Sequence, residues 1–330
     1  MSKYTNERII YLDIAKGIGI LLVVLGHLNL EFVFKNIIYS FHMPLFFYLG
    51  GVVSFSRNEI PWHNIKKFLF LYLMFGFCFA CIIMIQNTSF NIELIYDIFK
   101  SNPISIYNIK WFGVFWFILA YSIVLILAKI KNLQSISVYF LLFFIIFYMR
   151  DTGIIYMPLC IGPALCLLVF YGSSLYNQKI MNYYNIKSAC IIFICFMIVN
   201  CINILFYNGF DHKIINYGNL YFDPNSILVL SSAFLGIILL LYVSKTIEEC
   251  FVVLSKVLQF FGRNSLLIFM LHMFILSIVN NILIKIYSFF NFENYFMIEL
   301  LKFILAISIL SVFCIFYKKI VRKGLFYARM

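Results

Sequence analysis

Apolar segments of similar length recur along the whole chain, with short polar connections between them. A helix needs roughly 20 apolar residues to cross the hydrocarbon core of a bilayer, and most of these segments approach that length. Because no soluble insert divides the pattern, we predict that residues 1–330 form one membrane-embedded domain. Ten transmembrane helices are predicted near residues 9–28, 37–56, 68–85, 111–128, 137–149, 154–176, 188–207, 226–244, 265–284 and 296–317.

The composition indicates the same class of protein. Hydrophobic residues make up 64% of the 330 residues and charged residues only 12%, which excludes a soluble globular protein. The predicted fold is therefore an all-α polytopic membrane protein. The nine cysteines lie mostly within apolar segments, where buried thiols act as small hydrophobic side chains. Cys78 and Cys81 form a C-x-x-C pair, but they have no basic or histidine neighbour, and we expect no metal site.

The distribution of basic residues predicts the orientation in the membrane. Cytoplasmic loops of membrane proteins are enriched in lysine and arginine. If the N-terminus is cytoplasmic, most of the 25 basic residues fall on the cytoplasmic side, including Lys66, Lys67 and those of the C-terminal segment. We therefore predict a multi-pass protein of the cytoplasmic membrane with both termini inside. The net charge of +12 then follows from topology and gives no reason to expect a nucleic-acid partner.

Three ionisable residues interrupt the first apolar segment. Asp13, Lys16 and His27 lie where a simple membrane anchor would have none. Buried ionisable groups are costly in a membrane and usually face the interior of a helix bundle. On an ideal helix, Lys16 and His27 are about 20° apart around the axis and about 16 Å apart along it, with Asp13 within about 60° of both. The pattern indicates one wall of a polar cavity, although an Asp13–Lys16 ion pair within the helix is an alternative.

The second and third segments contribute further candidates. His42 enters the membrane from the outside at a depth similar to that of His27, so the two imidazoles could act as a base and its partner or hold a substrate. A histidine with satisfied interfacial hydrogen bonds has the same sequence signal. Lys66 and Lys67 begin the third segment. Their charges could simply set the orientation, or they could bind an anionic cytoplasmic cofactor.

Weaker signals come from later parts of the chain. Trp111 begins the fourth segment at the outer face, where aromatic belts are common. Asn264 or Ser265 is a candidate N-cap of the ninth segment, and His272 lies about two turns into it, where a histidine usually bonds another helix. The longest external loops are predicted at 86–110 and 208–225. Their polar and aromatic residues could bind a carbohydrate, but ordinary solvated loops have the same composition. These residues include Asn87, Asn91, Tyr107, Asp211, His212, Tyr217 and Asp223.

Taken in order, these segments resemble the integral-membrane acyltransferase-3 family, which includes O-acetyltransferases of bacterial surface polysaccharides. The resemblance rests on two blocks, Tyr11–His27 and Phe41–Gly51, and is supported by three shorter matches at Lys66–Lys67, at Trp111–Phe112 and from Asn264 to His272. The family pattern pairs a basic residue with a histidine eleven positions later. Lys16 and His27 occupy those positions here, although many members have arginine at the first.

The resemblance implies transfer of an acyl group, preferably acetyl, from cytoplasmic acyl-CoA to a hydroxyl of an envelope polysaccharide or lipid-linked sugar. His27 is then predicted to be the general base, and His42 a substrate orienter or second acid–base group. Lys16, Lys66 and Lys67 would bind the CoA phosphates. The residues predicted to contact substrate or support the site are Asp13, Trp111, Asn264 and His272. The alternatives are a transporter or exporter of a glycan or small solute, and a regulator or inactive scaffold with the same fold.

Overall fold

The computed structural model describes residues 9–54, 59–88, 91–130, 135–149, 154–206, 215–218, 220, 226–290 and 295–327. Within these ranges the chain is almost entirely helical. The α-helices are α1 (Ile10–Gly26), α2 (Phe32–Ser54), α3 (Trp62–Gln86), α4 (Ile92–Lys100), α5 (Pro103–Asn108), α6 (Trp116–Leu127), α7 (Ile136–Tyr148), α8 (Ile161–Ser173), α9 (Asn177–Asn182), α10 (Ile186–Phe206), α11 (Ser226–Cys250), α12 (Val252–Arg263), α13 (Ser265–Phe290) and α14 (Tyr295–Tyr327).

The all-α polytopic class is confirmed by the apolar helices. In the described part of the chain, seven helical stretches are long and apolar enough to cross a membrane: Phe32–Ser54, Trp62–Gln86, Pro158–Asn182, Ile186–Leu205, Ser226–Cys250, Ser265–Ile286 and Phe296–Lys319. Gly113–Leu127 and Ile136–Tyr148 are apolar but shorter, and α1 has 17 residues. Each of the ten predicted segments therefore contains a helix. The count of ten crossings and the cytoplasmic location of both termini stay predictions.

The helices form two compact units. The first consists of Met1–Glu31 and Ser244–Met330, and the second of Phe32–Val243, so the boundary lies within α11. The prediction of one domain over residues 1–330 stays a prediction.

In the first unit, α1 packs against α12 and α13, and α13 packs against α14. Two glycines allow α1 and α12 to approach closely. A Cβ atom at Gly17 would overlap the backbone carbonyl of Leu258, and one at Gly262 would overlap that of Asp13. Small residues commonly permit such backbone contact between membrane helices. The approach brings Arg263, which follows Gly262, close to the polar end of α1.

In the second unit, α8 packs against α2, α6 and α7. Its residues from Gly162 to Ser173 are almost all buried, which identifies α8 as the core helix of this unit. Glycines again mark the closest contacts. The position of a Cβ at Gly172 is occupied by the ring of Tyr139, and that at Gly51 by atoms of Tyr171 and Ser174. α2, which carries His42, is thereby packed against the core.

The segment predicted as a long loop over 86–110 instead contains two short helices. The Asn91 side chain accepts a hydrogen bond from the amide of Glu93 at 2.8 Å and caps α4. Asn102 accepts from the amide of Ser105 at 2.8 Å and caps α5, where Pro103 occupies the first position. Asparagine at the N-cap and proline at the first position both favour helix initiation. These side chains therefore support local helices.

Only part of the other predicted loop, 208–225, is described. Ile215, Tyr217 and Leu220 are buried. Asp211, His212 and Asp223, which were named as possible carbohydrate contacts, lie outside the described residues. The described part of this segment packs into the second unit.

Candidate functional site

Asp13 is buried on α1 and forms an ion pair with Arg263 at the end of α12. The Nε atom of Arg263 is 3.4 Å from Oδ2 of Asp13, and the Nη2 atom donates to Gln259 at 2.8 Å. The Arg263 side chain is 42% exposed, whereas that of Asp13 is 6% exposed. A buried carboxylate needs such a partner, because an uncompensated charge would lose its hydration without replacement. The predicted candidates did not include Arg263.

The three lysines predicted to bind phosphate are divided between the units. Lys16 lies half-buried on α1, one turn beyond Asp13, in the first unit. Lys66 and Lys67 are exposed in the first turns of α3, in the second unit. Exposed ammonium groups near a helix N-terminus provide a favourable potential for an anion. The structure thus leaves the side chains of Lys66 and Lys67 accessible.

His27 follows the last residue of α1. Its amide donates to the carbonyl of Val24 at 3.2 Å, and the next amide, of Leu28, donates to that of Leu25 at 3.1 Å, so the helix ends in a tight turn. The imidazole is half-buried. Its centroid lies 5.1 Å from that of His272, and the two rings are inclined by 43°. The fold therefore brings together two histidines that are remote in sequence.

His272 is fully buried on α13. Its Nδ1 atom is 2.7 Å from the carbonyl oxygen of Phe269, one turn earlier on the same helix. The Phe269 ring lies against it, with centroids 5.7 Å apart. Nε2 has no hydrogen-bond partner among the residues that the structure describes. One nitrogen of this ring is thus held by the helix, and the other is left for a partner.

Asn264 lies between α12 and α13. Its backbone carbonyl accepts from the amide of Ile268 at 3.1 Å, which is the first bond of α13 and corresponds to the predicted N-cap position. The side chain points the other way. Its amide donates to the carbonyl of Phe260 at 2.6 Å and satisfies the end of α12. Asn264 therefore joins the helices that carry Arg263 and His272.

Glu299 and Lys302 form a buried ion pair on α14 that was not predicted. Lys302 Nζ is 2.6 Å from Glu299 Oε1, and their side chains are only 8% and 5% exposed. The second carboxylate oxygen, Oε2, accepts from the amide of Asn29 at 3.1 Å, two residues beyond His27. The sequence contains a signal for this pair, because an acidic and a basic residue lie three positions apart within an apolar segment, as at Asp13 and Lys16. Glu299 therefore holds the chain next to His27.

His42 is buried on α2 in the second unit. Its Nδ1 atom is 2.8 Å from the carbonyl of Ile38, and its ring meets that of Tyr39 edge-on, with centroids 4.9 Å apart. The prediction that His42 and His27 lie at a similar depth stays a prediction. Within its own unit His42 is held in a fixed orientation.

A buried polar network surrounds the turn of α2 that precedes His42. Ser232 Oγ lies 2.9 Å from Ser40 Oγ and 3.0 Å from Asn200 Oδ1. Asn36 accepts from the amide of Ile215 at 3.1 Å, and the hydroxyl of Tyr217 donates to the carbonyl of Ser40 at 3.0 Å. Burial raises the pKa of Tyr217 well above its usual range, so the hydroxyl remains a donor. These bonds connect the segment that follows α10 to α2.

Trp111 is buried and does not belong to a lipid-facing aromatic belt. Its ring meets that of Phe79 edge-on at 5.9 Å, and the Lys110 ammonium lies 4.8 Å from its centroid. The backbone has φ = 66°, a left-handed conformation that is rare for a bulky side chain. Such strain persists only where the surroundings enforce it. The structure supports a packing role for Trp111 within the second unit.

Two further features bear on ligand binding. An apolar cavity of about 250 Å³ lies between α2, α7, α8 and α11, but none of the predicted site residues is among those that line it. In the described part of the chain, no three histidine, cysteine, aspartate or glutamate side chains form a group that could hold a metal ion.

The chain was compared with known proteins. A family model described as an acyltransferase domain matches residues 9–317. The match covers nearly the whole chain and includes every residue predicted for the site. No curated protein and no solved structure matches the chain.

Proposed function

The chain belongs to the integral-membrane acyltransferase-3 family. From this membership we propose that it transfers an acyl group from cytoplasmic acyl-CoA to a hydroxyl of a cell-envelope glycan, and that the acyl group is acetyl. The family match supports acyl transfer, and the apolar helices support catalysis by a membrane-embedded protein. The donor and the acceptor are part of the proposal.

The observation that carries the proposal is the half-buried imidazole of His27, whose ring lies 5.1 Å from that of His272. Attack of a hydroxyl on a thioester needs a base that removes the hydroxyl proton. The proton passes to His27, the new C–O bond forms as the C–S bond breaks, and the proton then goes to the CoA sulfur. We assign His42 to orienting the acceptor or to a second acid–base role.

The donor is proposed to bind through its phosphates. Lys66 and Lys67 have accessible side chains near the start of α3, and Lys16 is half-buried on α1. Lys16 and His27 are separated by about 16 Å of helix, which is of the order of a pantetheine arm. The phosphates would thus be held at Lys16 while the thioester reaches His27.

The first test measures acetyl transfer by purified protein in lipid vesicles, with radiolabelled acetyl-CoA and an envelope glycan. Replacement of His27 by glutamine should lower kcat by about 100-fold or more, because general-base catalysis is lost. The exposed His63→Gln variant is the control and should keep full activity. Wild-type activity in His27→Gln at equal abundance would refute the assignment of His27.

A second arm tests the donor site. The Lys66→Gln/Lys67→Gln variant should raise the KM for acetyl-CoA about tenfold and leave kcat nearly unchanged, because it removes phosphate contacts. Lys187→Gln is the matched control, since Lys187 is also exposed near the start of a helix, α10. Equal KM values in both variants would contradict donor binding at Lys66 and Lys67. Solute flux without acceptor labelling would instead support the transporter alternative.

A further inference from the structure

The two ring nitrogens of His272 differ in their hydrogen bonding. Its Nδ1 atom lies 2.7 Å from the carbonyl oxygen of Phe269, which can only accept a hydrogen bond. In the neutral ring Nδ1 therefore carries the proton, and Nε2 carries the lone pair. Nε2 is buried and lacks a partner among the described residues. A buried acceptor without a hydrogen bond costs about 1–3 kcal/mol, so this atom is expected to have a partner in the working protein.

His27 is placed to be that partner. Two imidazoles joined by a linear N–H···N bond of about 2.9 Å have centroids about 5 Å apart, since each nitrogen lies about 1 Å from its ring centre. The observed separation is 5.1 Å. The centroid separation of the two rings therefore matches that of a hydrogen-bonded imidazole pair. Glu299 restrains that backbone through its hydrogen bond to the amide of Asn29.

We propose that His272 is a positioning residue for His27 and that its Nε2 atom accepts the ring N–H of His27 during acyl transfer. The proposal rests on the proposed function, in which His27 is the base. The bond fixes which nitrogen of His27 is protonated and leaves the other to receive the proton of the attacking hydroxyl. When that proton arrives, His272 stabilises the imidazolium. The proton then passes to the CoA sulfur as the C–S bond breaks, and both rings return to their neutral forms.

A purely structural role for His272 would be met by any side chain that fills its space and bonds the Phe269 carbonyl. Asparagine and glutamine separate the two roles. An asparagine amide lies near the position of Nδ1 and provides no acceptor at Nε2, whereas a glutamine amide reaches the position of Nε2. The pair of variants therefore tests the position of the acceptor while polarity is kept nearly constant.

We expect His272→Asn to lower kcat at least about tenfold with the KM for acetyl-CoA unchanged, and His272→Gln to recover much of that loss. Adding His272→Asn to His27→Gln should cause no further loss, because residues that act as a unit are not additive. His63→Asn serves as the control. Full activity of His272→Asn, or a further loss in the double variant, would overturn the proposal.

A readout without activity keeps the test independent of the proposed function. The chain has five histidines, so selective ¹⁵N-histidine labelling in detergent gives a small set of ring signals. His272→Asn should change the tautomer balance of His27 and leave the signals of His42 and His63 in place. An unchanged His27 signal would overturn the pairing. Absence of acyl transfer by the wild-type protein would refute the proposed function, and the ring signals alone would then decide whether the pairing exists.

Discussion

At the scale of single residues, the chain buries ionisable groups and gives them partners. Asp13 pairs with Arg263, and Glu299 pairs with Lys302. The second pair is the more buried, and it also binds the backbone next to His27. Buried ion pairs are often no more stable than apolar replacements of both partners, but removal of one partner leaves an uncompensated charge. The role of Glu299 is therefore tested best by changing one partner and then both.

Replacement of Glu299 by glutamine should destabilise the protein by about 3–5 kcal/mol, because Lys302 remains buried without a counter-charge. The double variant Glu299→Gln/Lys302→Met should recover most of that loss. Unfolding midpoints in detergent provide the measurement. Asp97→Asn is the matched control, since Asp97 pairs with Lys100 at the same spacing but leaves behind an ammonium on a 43% exposed side chain, and its cost should stay within about 1 kcal/mol. A midpoint unchanged in Glu299→Gln would contradict this account.

At the scale of helices, α2 shows how a distant side chain compensates for a local defect. Pro44 lies within α2 and has no N–H to donate to the carbonyl of Ser40, four residues earlier. The hydroxyl of Tyr217 donates to that carbonyl at 3.0 Å. The proline thus creates an acceptor, and the segment after α10 satisfies it. This bond lies two residues from His42 and helps to fix that part of the helix.

We expect Tyr217→Phe to destabilise the protein by about 1–3 kcal/mol, because the Ser40 carbonyl loses its partner. In a Pro44→Ala background the loss of unfolding free energy caused by Tyr217→Phe should be much smaller, because the new amide N–H of Ala at position 44 can donate to the Ser40 carbonyl within the helix. Unfolding midpoints of the four proteins give the coupling. Tyr72→Phe is the control: it removes a bond to the carbonyl of Ile98 at 3.0 Å, and its cost should not depend on Pro44. Equal costs of Tyr217→Phe in both backgrounds would exclude the compensation.

At the scale of the whole molecule, the number of crossings decides which side each terminus occupies. Within the described residues seven helices satisfy the length and composition expected of a span, whereas the sequence pattern predicts ten. Three helices account for the difference between seven and ten. They are α1, Gly113–Leu127 and Ile136–Tyr148, each of which has fewer than 18 residues and so falls below the length expected of a membrane span. Ten crossings place both termini on one side, and seven place them on opposite sides.

Because the basic residues favour a cytoplasmic location for both termini, a fluorescent-protein fusion after Met330 should be fluorescent and an alkaline phosphatase fusion there inactive. A phosphatase fusion after Lys110 should be active. Fusions after Lys187 are the internal control and should report the cytoplasm. Phosphatase activity at the C-terminus, with a cytoplasmic report at Lys187, would exclude the ten-span arrangement.

The amino-acid sequence determined the class of the protein and marked the candidate residues of its site. The length of an apolar segment and the cost of a charge within it are local properties, so the helices and the anomalies at Asp13, Lys16 and His27 could be found without coordinates. The match to the acyltransferase family confirms the resemblance carried by those same segments. The helix start signals at Asn91 and Asn102 are also local, and they favour α4 and α5 over the loop predicted for residues 86–110.

Only the tertiary structure decided which side chains contact one another between helices that are remote in sequence. Arg263 and Asp13 are 250 positions apart, and Glu299 and Asn29 are 270 apart. Which side chains meet across such distances depends on which helix faces pack, and this in turn depends on close contacts such as Gly17 against Leu258. Periodicity within one helix cannot specify the register of another. The sequence therefore marked His27 as a candidate for chemistry, and the packing of α1 against α13 placed it beside His272.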